Sequence, residues 1–476
     1  MTNSTAERAR LEQTLLALEH AAASRLKQAR GQSLVTGPDT EAIRHHLQTG
    51  YDFAEAIPTA TLVSDVLAML TRWDLDSTHP RYFGLFNPPA LPVTVIADAL
   101  VAMLNPQVGT RTHAPAANEI EQHVLRHLVE RIGFSADECA AHFTSGGQEA
   151  NATAMATALA HHFPSVPDSG VRTLDGQPRL YVSEHAHHSL GKAAKFTGLG
   201  AQAVREVPAL ATGAMDVAAL EARITADRGA GDLPFLVVAT AGTTGIGSID
   251  PLGALAELAA REHLWLHVDA AWGGGALMSD KLRVYLDGIE RADSVTWDAH
   301  KWLDVPMGAG MLFYQRAAST GAVFRVSTGY VPEFEGDGSE PYLETFQWSR
   351  RFIGLKLFMA LASLSTDGYA RLVEHQCAVA EELRARLREE GWQIVNDTPL
   401  PLVCFTHEGI GGDPEAIQLL VEALQARGQV WVSRVLMPDG QAAIRASITS
   451  YATDGNDLQV LLDELRACTA TTEQPP

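Results

Sequence analysis

From about residue 115 the chain alternates short apolar runs with longer Ala- and Leu-rich stretches, and few folds accept that rhythm. RLYVS (179–183), FLVVAT (235–240), LWLHVD (264–269) and SVTWD (294–298) each have the length and branched or aromatic content of one strand. Stretches such as LGALAELAAREH lie between them with helical spacing. A strand that is apolar on successive residues is buried on both faces, which predicts an α/β fold built on a mainly parallel sheet with helices on each side. In such a sheet ligands collect at the carboxyl ends of the strands, so the unusual residues there are the candidates for function.

Size and charge narrow the partners. With 476 residues, 46% of them hydrophobic, the chain can bury a large core. Lys plus Arg number 36 and Asp plus Glu 57, so the formal charge is 36 − 57 = −21, and no nucleic-acid partner is expected. No run of 18 apolar residues is present and the start, MTNSTAERARLEQ, lacks an apolar signal core, so neither membrane association nor a leader is expected. Cys139, Cys377, Cys404 and Cys468 lie far apart without a CxxC pair, which fits a reducing cytoplasm.

Three segments are predicted along the chain. Residues 1–90 form an N-terminal helical segment, in which Leu11, Leu15, Leu18 and Ala22 recur at helical spacing before the Pro-rich HPRYFGLFNPPALP (79–92). Such an arm has little to pack on by itself, and a partner subunit is one solution. Residues 91–350 form the large domain. Residues 351–476, with a helical stretch (352–390) followed by VCFTHE and AAIRASITS, form a smaller α+β domain.

Three motifs carry chemistry. Phe143-Thr144-Ser145-Gly146-Gly147-Gln148-Glu149-Ala150-Asn151 runs into an Ala-rich helix, and glycines entering a helix free backbone N–H groups to face an anion such as phosphate. A Ser-Gly-Gly turn with a helix cap explains the same residues without a ligand. In HVDAAWGG, Asp269 ends a buried apolar strand, where a carboxylate is costly unless a cation such as a protonated pyridine meets it. His267 and Asp269 as metal ligands are the alternative, but no third ligand is evident and no metal is expected. In Trp297-Asp298-Ala299-His300-Lys301-Trp302, a lysine just past a strand, beside His and two Trp, is placed to act as an imine-forming amine. A solvated surface lysine is the competing reading. The order of the three motifs weighs against it: a phosphate cradle, an acid, and a lysine 301 − 269 = 32 residues later are the toolkit for pyridoxal phosphate.

With these motifs the chain resembles the group II pyridoxal-phosphate-dependent amino-acid decarboxylases, relatives of the aromatic-L-amino-acid and glutamate decarboxylases. HVDAA followed by DAHKW carries the resemblance, which extends from about Tyr51 to Leu465. It implies the aspartate-aminotransferase-like fold type I and a homodimer. It implies pyridoxal 5'-phosphate held covalently by Lys301, with Asp269 on the pyridine nitrogen and His187 and Ala271 on the two faces of the ring. Thr244 matches a cofactor-side threonine, and Gly146, Gly147, Gln148, Asp298 and His300 match the phosphate site, with Gln148 and Asp298 standing where Ser and Asn are commoner. Tyr330, ahead of the acidic EFEGDGSE, matches a loop tyrosine that protonates Cα after carbon dioxide leaves; a loop of that composition is otherwise ordinary surface. Arg445, within the alternating AAIRASI, matches the arginine that takes the substrate's α-carboxylate, with a structural ion pair as the competing reading.

The resemblance implies decarboxylation of an L-amino acid to the amine and carbon dioxide. Pocket positions carry Ser77, Leu85, Phe86 and Gly109, so most of an aromatic lining is missing, with Leu85 and Phe86 as substrate contacts. Arg81 in HPR or Arg111 could neutralise an acidic side chain, which leaves the substrate between apolar or aromatic and acidic. An aminotransferase, an aldehyde synthase, another lyase and a non-catalytic relative are the alternatives.

Overall fold

The structure, a computed structural model, describes residues 16, 31, 33, 34, 37, 39–316, 321–326 and 340–472, with the side chains of 470–472 left aside. They fall into two interleaved compact units, one of residues 85–417 and 434–451, the other of 1–84, 418–433 and 452–476. Most of the N-terminal arm, and Tyr330, lie outside the described residues.

The first unit is built on a seven-stranded sheet. Its strands are β1 (Ala140–Thr144), β2 (Pro178–Ser183), β3 (Val204–Val207), β4 (Leu233–Thr240), β5 (Trp265–Asp269), β6 (Ser294–Asp298) and β7 (Gly310–Tyr314), in the order β1-β7-β6-β5-β4-β2-β3. The pairs from β3 through β6 are parallel, while β7 lies antiparallel between β6 and β1. The period of two explains the apolar runs. Val237, Ala239, Leu266, Val268 and Trp297 fall into one core cluster, and their neighbours Leu236, Val238 and Trp265 into another, one on each face.

Helices cover both faces. They include α1 (Pro92–Leu104), α2 (Pro115–Ile132), α3 (Gly147–His162), α4 (Ser189–Phe196), α5 (Val217–Gly229), α6 (Leu252–Arg261) and α7 (Gly354–Glu389). In α3 the buried Ala150, Ala154 and Ala158 recur every fourth residue, and their small side chains let the helix lie close on β4, β6 and β7. On the other face α2 packs Val124, Leu125, Leu128 and Ile132. Its Glu121 is buried, bonds Arg350 Nη2 at 2.9 Å and accepts the Gly354 N–H at 3.0 Å, which fixes the start of α7. The latter is interrupted at Ser365, whose φ of 63° is non-helical.

The smaller sheet has β8 (Trp392–Ile394), β9 (Leu402–His407), β10 (Ser433–Leu436) and β11 (Ala442–Ser447) in the order β10-β11-β9-β8, antiparallel where β9 meets its two neighbours. Every residue of β11 is buried, Arg445 included.

The second unit holds helices Thr40–Gly50, Thr59–Trp73 and Gly455–Thr472, the last burying Leu458, Leu461, Leu462 and Leu465. His46 and Tyr51 both bond Asp65 between the first two helices. Tyr82 stacks on Trp431 at 5.2 Å, and a Cβ on Gly84 would lie 2.2 Å from the same indole, so only glycine fits there. Among the described residues no helix is long and apolar enough to cross a membrane.

Candidate active site

The carboxyl ends of β5 and β6 lie side by side, with Asp269 opposite Thr296 and the Asp298 N–H donating to the Ala271 carbonyl at 2.8 Å. Asp269 is 5% exposed, and both its oxygens are held: Oδ2 accepts from Asn151 Nδ2 at 2.8 Å and Oδ1 from the Ala271 N–H at 3.1 Å. A carboxylate has about four lone-pair sites, so each oxygen keeps capacity for a further donor such as a protonated ring nitrogen.

Behind Asp269 runs a directed chain of hydrogen bonds. Asn151 turns its amide nitrogen to the carboxylate, so its Oδ1 must accept, and His267 Nε2 at 3.1 Å is the donor. That fixes the Nε2–H tautomer, leaving Nδ1 to accept from Ser294 Oγ at 2.8 Å, itself the acceptor for Trp265 Nε1–H at 2.8 Å. Burial lowers the proton affinity of His267 to about 4, with the charge of Asp269 opposing, so the ring is neutral. Both ring nitrogens of His267 are engaged, and among the described residues no cluster of three or more His, Cys, Asp or Glu side chains could hold a metal.

Lys301 follows β6 on the helical turn Ala299–Trp302, and its Nζ lies 3.0 Å from Asp298 Oδ2. The flanking His300 is buried; its Nδ1 accepts the Ala309 N–H at 3.1 Å, leaving Nε2–H as donor, and burial lowers its proton affinity. His187 lies between β2 and α4. Its Nδ1 accepts the Ser189 N–H at 3.2 Å, and burial lowers its affinity for a proton while Asp269 and Asp298 raise it and Lys301 lowers it. Burial thus disfavours the charged imidazolium, and the ring lies within electrostatic reach of Asp269, Lys301 and Asp298.

The N-terminus of α3 faces this group. A Cβ on Gly147 would lie 2.8 Å from Asp298 Oδ2 and 3.3 Å from Ala271 Cβ, and one on Gly146 would lie 3.5 Å from His300 Cε1, so the glycines keep a cradle open. Gln148 at the same end donates from Nε2 to the Ser189 carbonyl at 3.2 Å, tying α3 to α4. Thr244 sits on the turn after β4, where its carbonyl accepts Arg445 Nε at 3.0 Å. The Arg445 guanidinium also lies 5.0 Å from the centre of the Phe86 ring, which stacks on Trp272 at 4.4 Å, while Leu85 is exposed. Arg111 pairs with Glu119 at 3.0 Å, and Arg81, in the other unit, donates to Gln429 Oε1 at 3.3 Å.

A phosphorylated pyridine aldehyde fits these groups. There is a helix N-terminus kept open by glycines and a neutral His300 N–H for the anion. The carboxylate of Asp269 has spare acceptor capacity for a ring nitrogen, and Lys301 has its amine for an aldehyde. Sequence reasoning missed Asn151 and the part played by His267. Asn151 stands four residues after Gly147 on α3 and thus on the same face, which is the only local signal; its partner lies 118 residues away.

Comparison with known proteins agrees with this chemistry. The pyridoxal-dependent decarboxylase conserved domain matches residues 52–408. The acidic amino acid decarboxylase GADL1 of Mus musculus is 34% identical over 346 residues, which cover 70% of this chain and 61% of that protein, so the match spans less than two thirds of the relative's length. The L-2,4-diaminobutyrate decarboxylase of Rhizobium meliloti (strain 1021) is 30% identical over 436 residues, 89% of this chain and 81% of that protein. The crystal structure of mouse CSAD in its apo form superposes with a TM-score of 0.87 at 26% identity, covering 96% of this chain and 98% of the other. A domain match across the large sheet and its site, together with these relatives, places the chain in the pyridoxal-dependent decarboxylase family.

Proposed function

We propose that this protein uses pyridoxal 5'-phosphate to decarboxylate an L-amino acid to the corresponding amine and carbon dioxide. The observation that supports it most is the pairing of adjacent strand ends, Asp269 fastened by Asn151 on one and Lys301 on the next, before the glycine-opened end of α3. When bound, the cofactor supplies an electron sink for negative charge at the substrate's Cα. Asp269 would hold the proton on the cofactor's ring nitrogen, and Lys301 would hold the cofactor through its aldehyde. Gly146, Gly147, Gln148 and His300 receive the phosphate, with Asp298 beside them, and Thr244, Ala271 and His187 enclose the ring. Arg445, kept in place by the Thr244 carbonyl and the Phe86 ring, binds the α-carboxylate, and Leu85 and Phe86 line the side-chain pocket. Tyr330 returns the proton to Cα.

The substrate side chain stays between apolar or aromatic and acidic. The test is a panel of acidic, apolar, aromatic and diamino acids, scored for carbon dioxide and organic product together. Amine equal to carbon dioxide for one class supports the reading; keto acid without carbon dioxide identifies an aminotransferase, and aldehyde with peroxide an aldehyde synthase.

The same reading includes a cytoplasmic homodimer. In its support, α1 exposes Val95, Ile96, Met103 and Leu104, each more than half accessible, a set of large apolar side chains that a second copy would cover. Among the described residues no disulfide joins any of the four cysteines, in keeping with a reducing compartment. Sedimentation equilibrium that returned a monomer mass for the active enzyme would contradict the dimer.

A further inference from the structure

Asp298 is out of keeping with an anion site. It ends β6 almost wholly buried, with Oδ2 3.0 Å from Lys301 Nζ and Oδ1 without a hydrogen-bond partner among the described residues. The same Oδ2 is the atom that a Cβ on Gly147 would strike at 2.8 Å, so a carboxylate looks directly at the helix end proposed to take phosphate. Before the cofactor arrives this arrangement is balanced, because the Lys301 ammonium neutralises the carboxylate.

Loading removes that balance. When the Lys301 nitrogen bonds to the cofactor's aldehyde carbon and the aldehyde oxygen leaves as water, the nitrogen keeps at most one hydrogen and no longer serves Asp298 as an ammonium. The carboxylate then faces a phosphate of up to two negative charges. Of the other groups around it, His300 from its own turn and His187 from the segment after β2 are both disfavoured as cations by burial, so the α3 backbone amides are the remaining positive pole. Two anions brought together in a buried site are strongly unfavourable, whereas a carboxylic acid donates its O–H to a phosphate oxygen.

We propose that Asp298 couples cofactor binding to the uptake of one proton: it is the counter-ion of Lys301 in the free protein and a protonated hydrogen-bond donor to the phosphate in the loaded one. The proton comes from solvent and converts –COO⁻ to –COOH with no other bond changed. The inference rests on the pyridoxal phosphate reading above. Its consequence is a cofactor affinity that declines with rising pH more steeply than the amine and phosphate chemistry alone would give.

The test is calorimetric titration of the cofactor-free full chain with pyridoxal 5'-phosphate between pH 7 and 8.5, in two buffers of different ionisation enthalpy, which counts protons directly. The wild type should take up about one proton more than Asp298→Asn, and its affinity should fall up to about tenfold more per pH unit than that of the variant. With pyridoxal, which lacks the phosphate, the excess proton uptake of the wild type over the variant should be smaller. Circular dichroism checks that the variant is folded, and Asp298→Ser replaces it if it is not. Equal proton counts with the phosphorylated ligand overturn the assignment. A wild type that binds neither aldehyde overturns both the assignment and the function on which it rests.

Discussion

Replacing Asn151 with alanine tests whether the hydrogen-bond chain behind Asp269 sustains the site. Asn151 is 2% exposed; its Nδ2 donates to Asp269 at 2.8 Å and to Ser189 Oγ at 3.1 Å, and its Oδ1 accepts from His267. Truncation removes a bond to a carboxylate, about 1.5–3 kcal/mol, and two neutral ones, to Ser189 and from His267, about 0.5–1.5 kcal/mol each. His267 Nε2 keeps Thr296 Oγ1 at 3.2 Å, which limits the loss there, so the sum is about 2.5–5 kcal/mol. Urea unfolding of the cofactor-free variant, followed by circular dichroism, should show a stability lowered by that amount, through a lower midpoint at unchanged slope. If the bond to Asp269 counts fully in the transition state, turnover of the loaded enzyme should drop roughly 10- to 100-fold. Asn151→Asp, which sets a second carboxylate against the first, should bind cofactor less well than Asn151→Ala. A midpoint and a turnover both within error of wild type would refute the role given to this chain.

Other perturbations read other parts of the account. Arg350→Ala leaves Glu121 charged and buried without its partner and should cost about 3–5 kcal/mol by chemical denaturation, against little for the exposed pair Arg261 with Glu221. His142 on β1 is buried, and desolvation lowers its pKa to about 3, whereas in the unfolded chain it titrates near 6.5. A depressed basic group contributes stability that is complete above the unfolded value and lost as pH falls toward the folded one, so acidification from pH 7 to 3 should cost wild type on the order of 3 kcal/mol more than His142→Phe. An unchanged difference between the two across that range would mean that the imidazole is protonated in the fold. Tyr330→Phe should still bind cofactor and release carbon dioxide, with aldehyde and peroxide rising at the expense of amine in product analysis; amine alone at the original rate would assign the proton to another donor.

Much of the first unit was legible because its strands are apolar on both faces. RLYVS, FLVVAT, LWLHVD and SVTWD correspond to β2, β4, β5 and β6 within two residues at each end, and the stretch 352–390 to α7. The interruption of α7 at Ser365 had no sequence signal, since a lone serine in a helical pattern does not announce a positive φ. The antiparallel insertion of β7 between β6 and β1 was equally silent, because strand order depends on pairings far apart in the chain. At the site, Asp269 and Lys301 stood out as charges at the ends of apolar strands. Asn151 did not, because a buried amide has no distinctive neighbours in sequence and acquires its meaning from Asp269 and His267, which only the packing of α3 on the sheet brings to it. Asp298 was visible as a departure from the commoner Asn, yet its pairing with Lys301 depends on the turn that follows β6.

The central claim is that Lys301 carries the cofactor. Borohydride reduction of the protein loaded with pyridoxal 5'-phosphate, followed by proteolysis and mass spectrometry, should place one phosphopyridoxyl group on the peptide containing Lys301, and Lys301→Ala should take up none. A label on Lys192 or Lys195 in wild type, or an undiminished label in Lys301→Ala, would contradict the account.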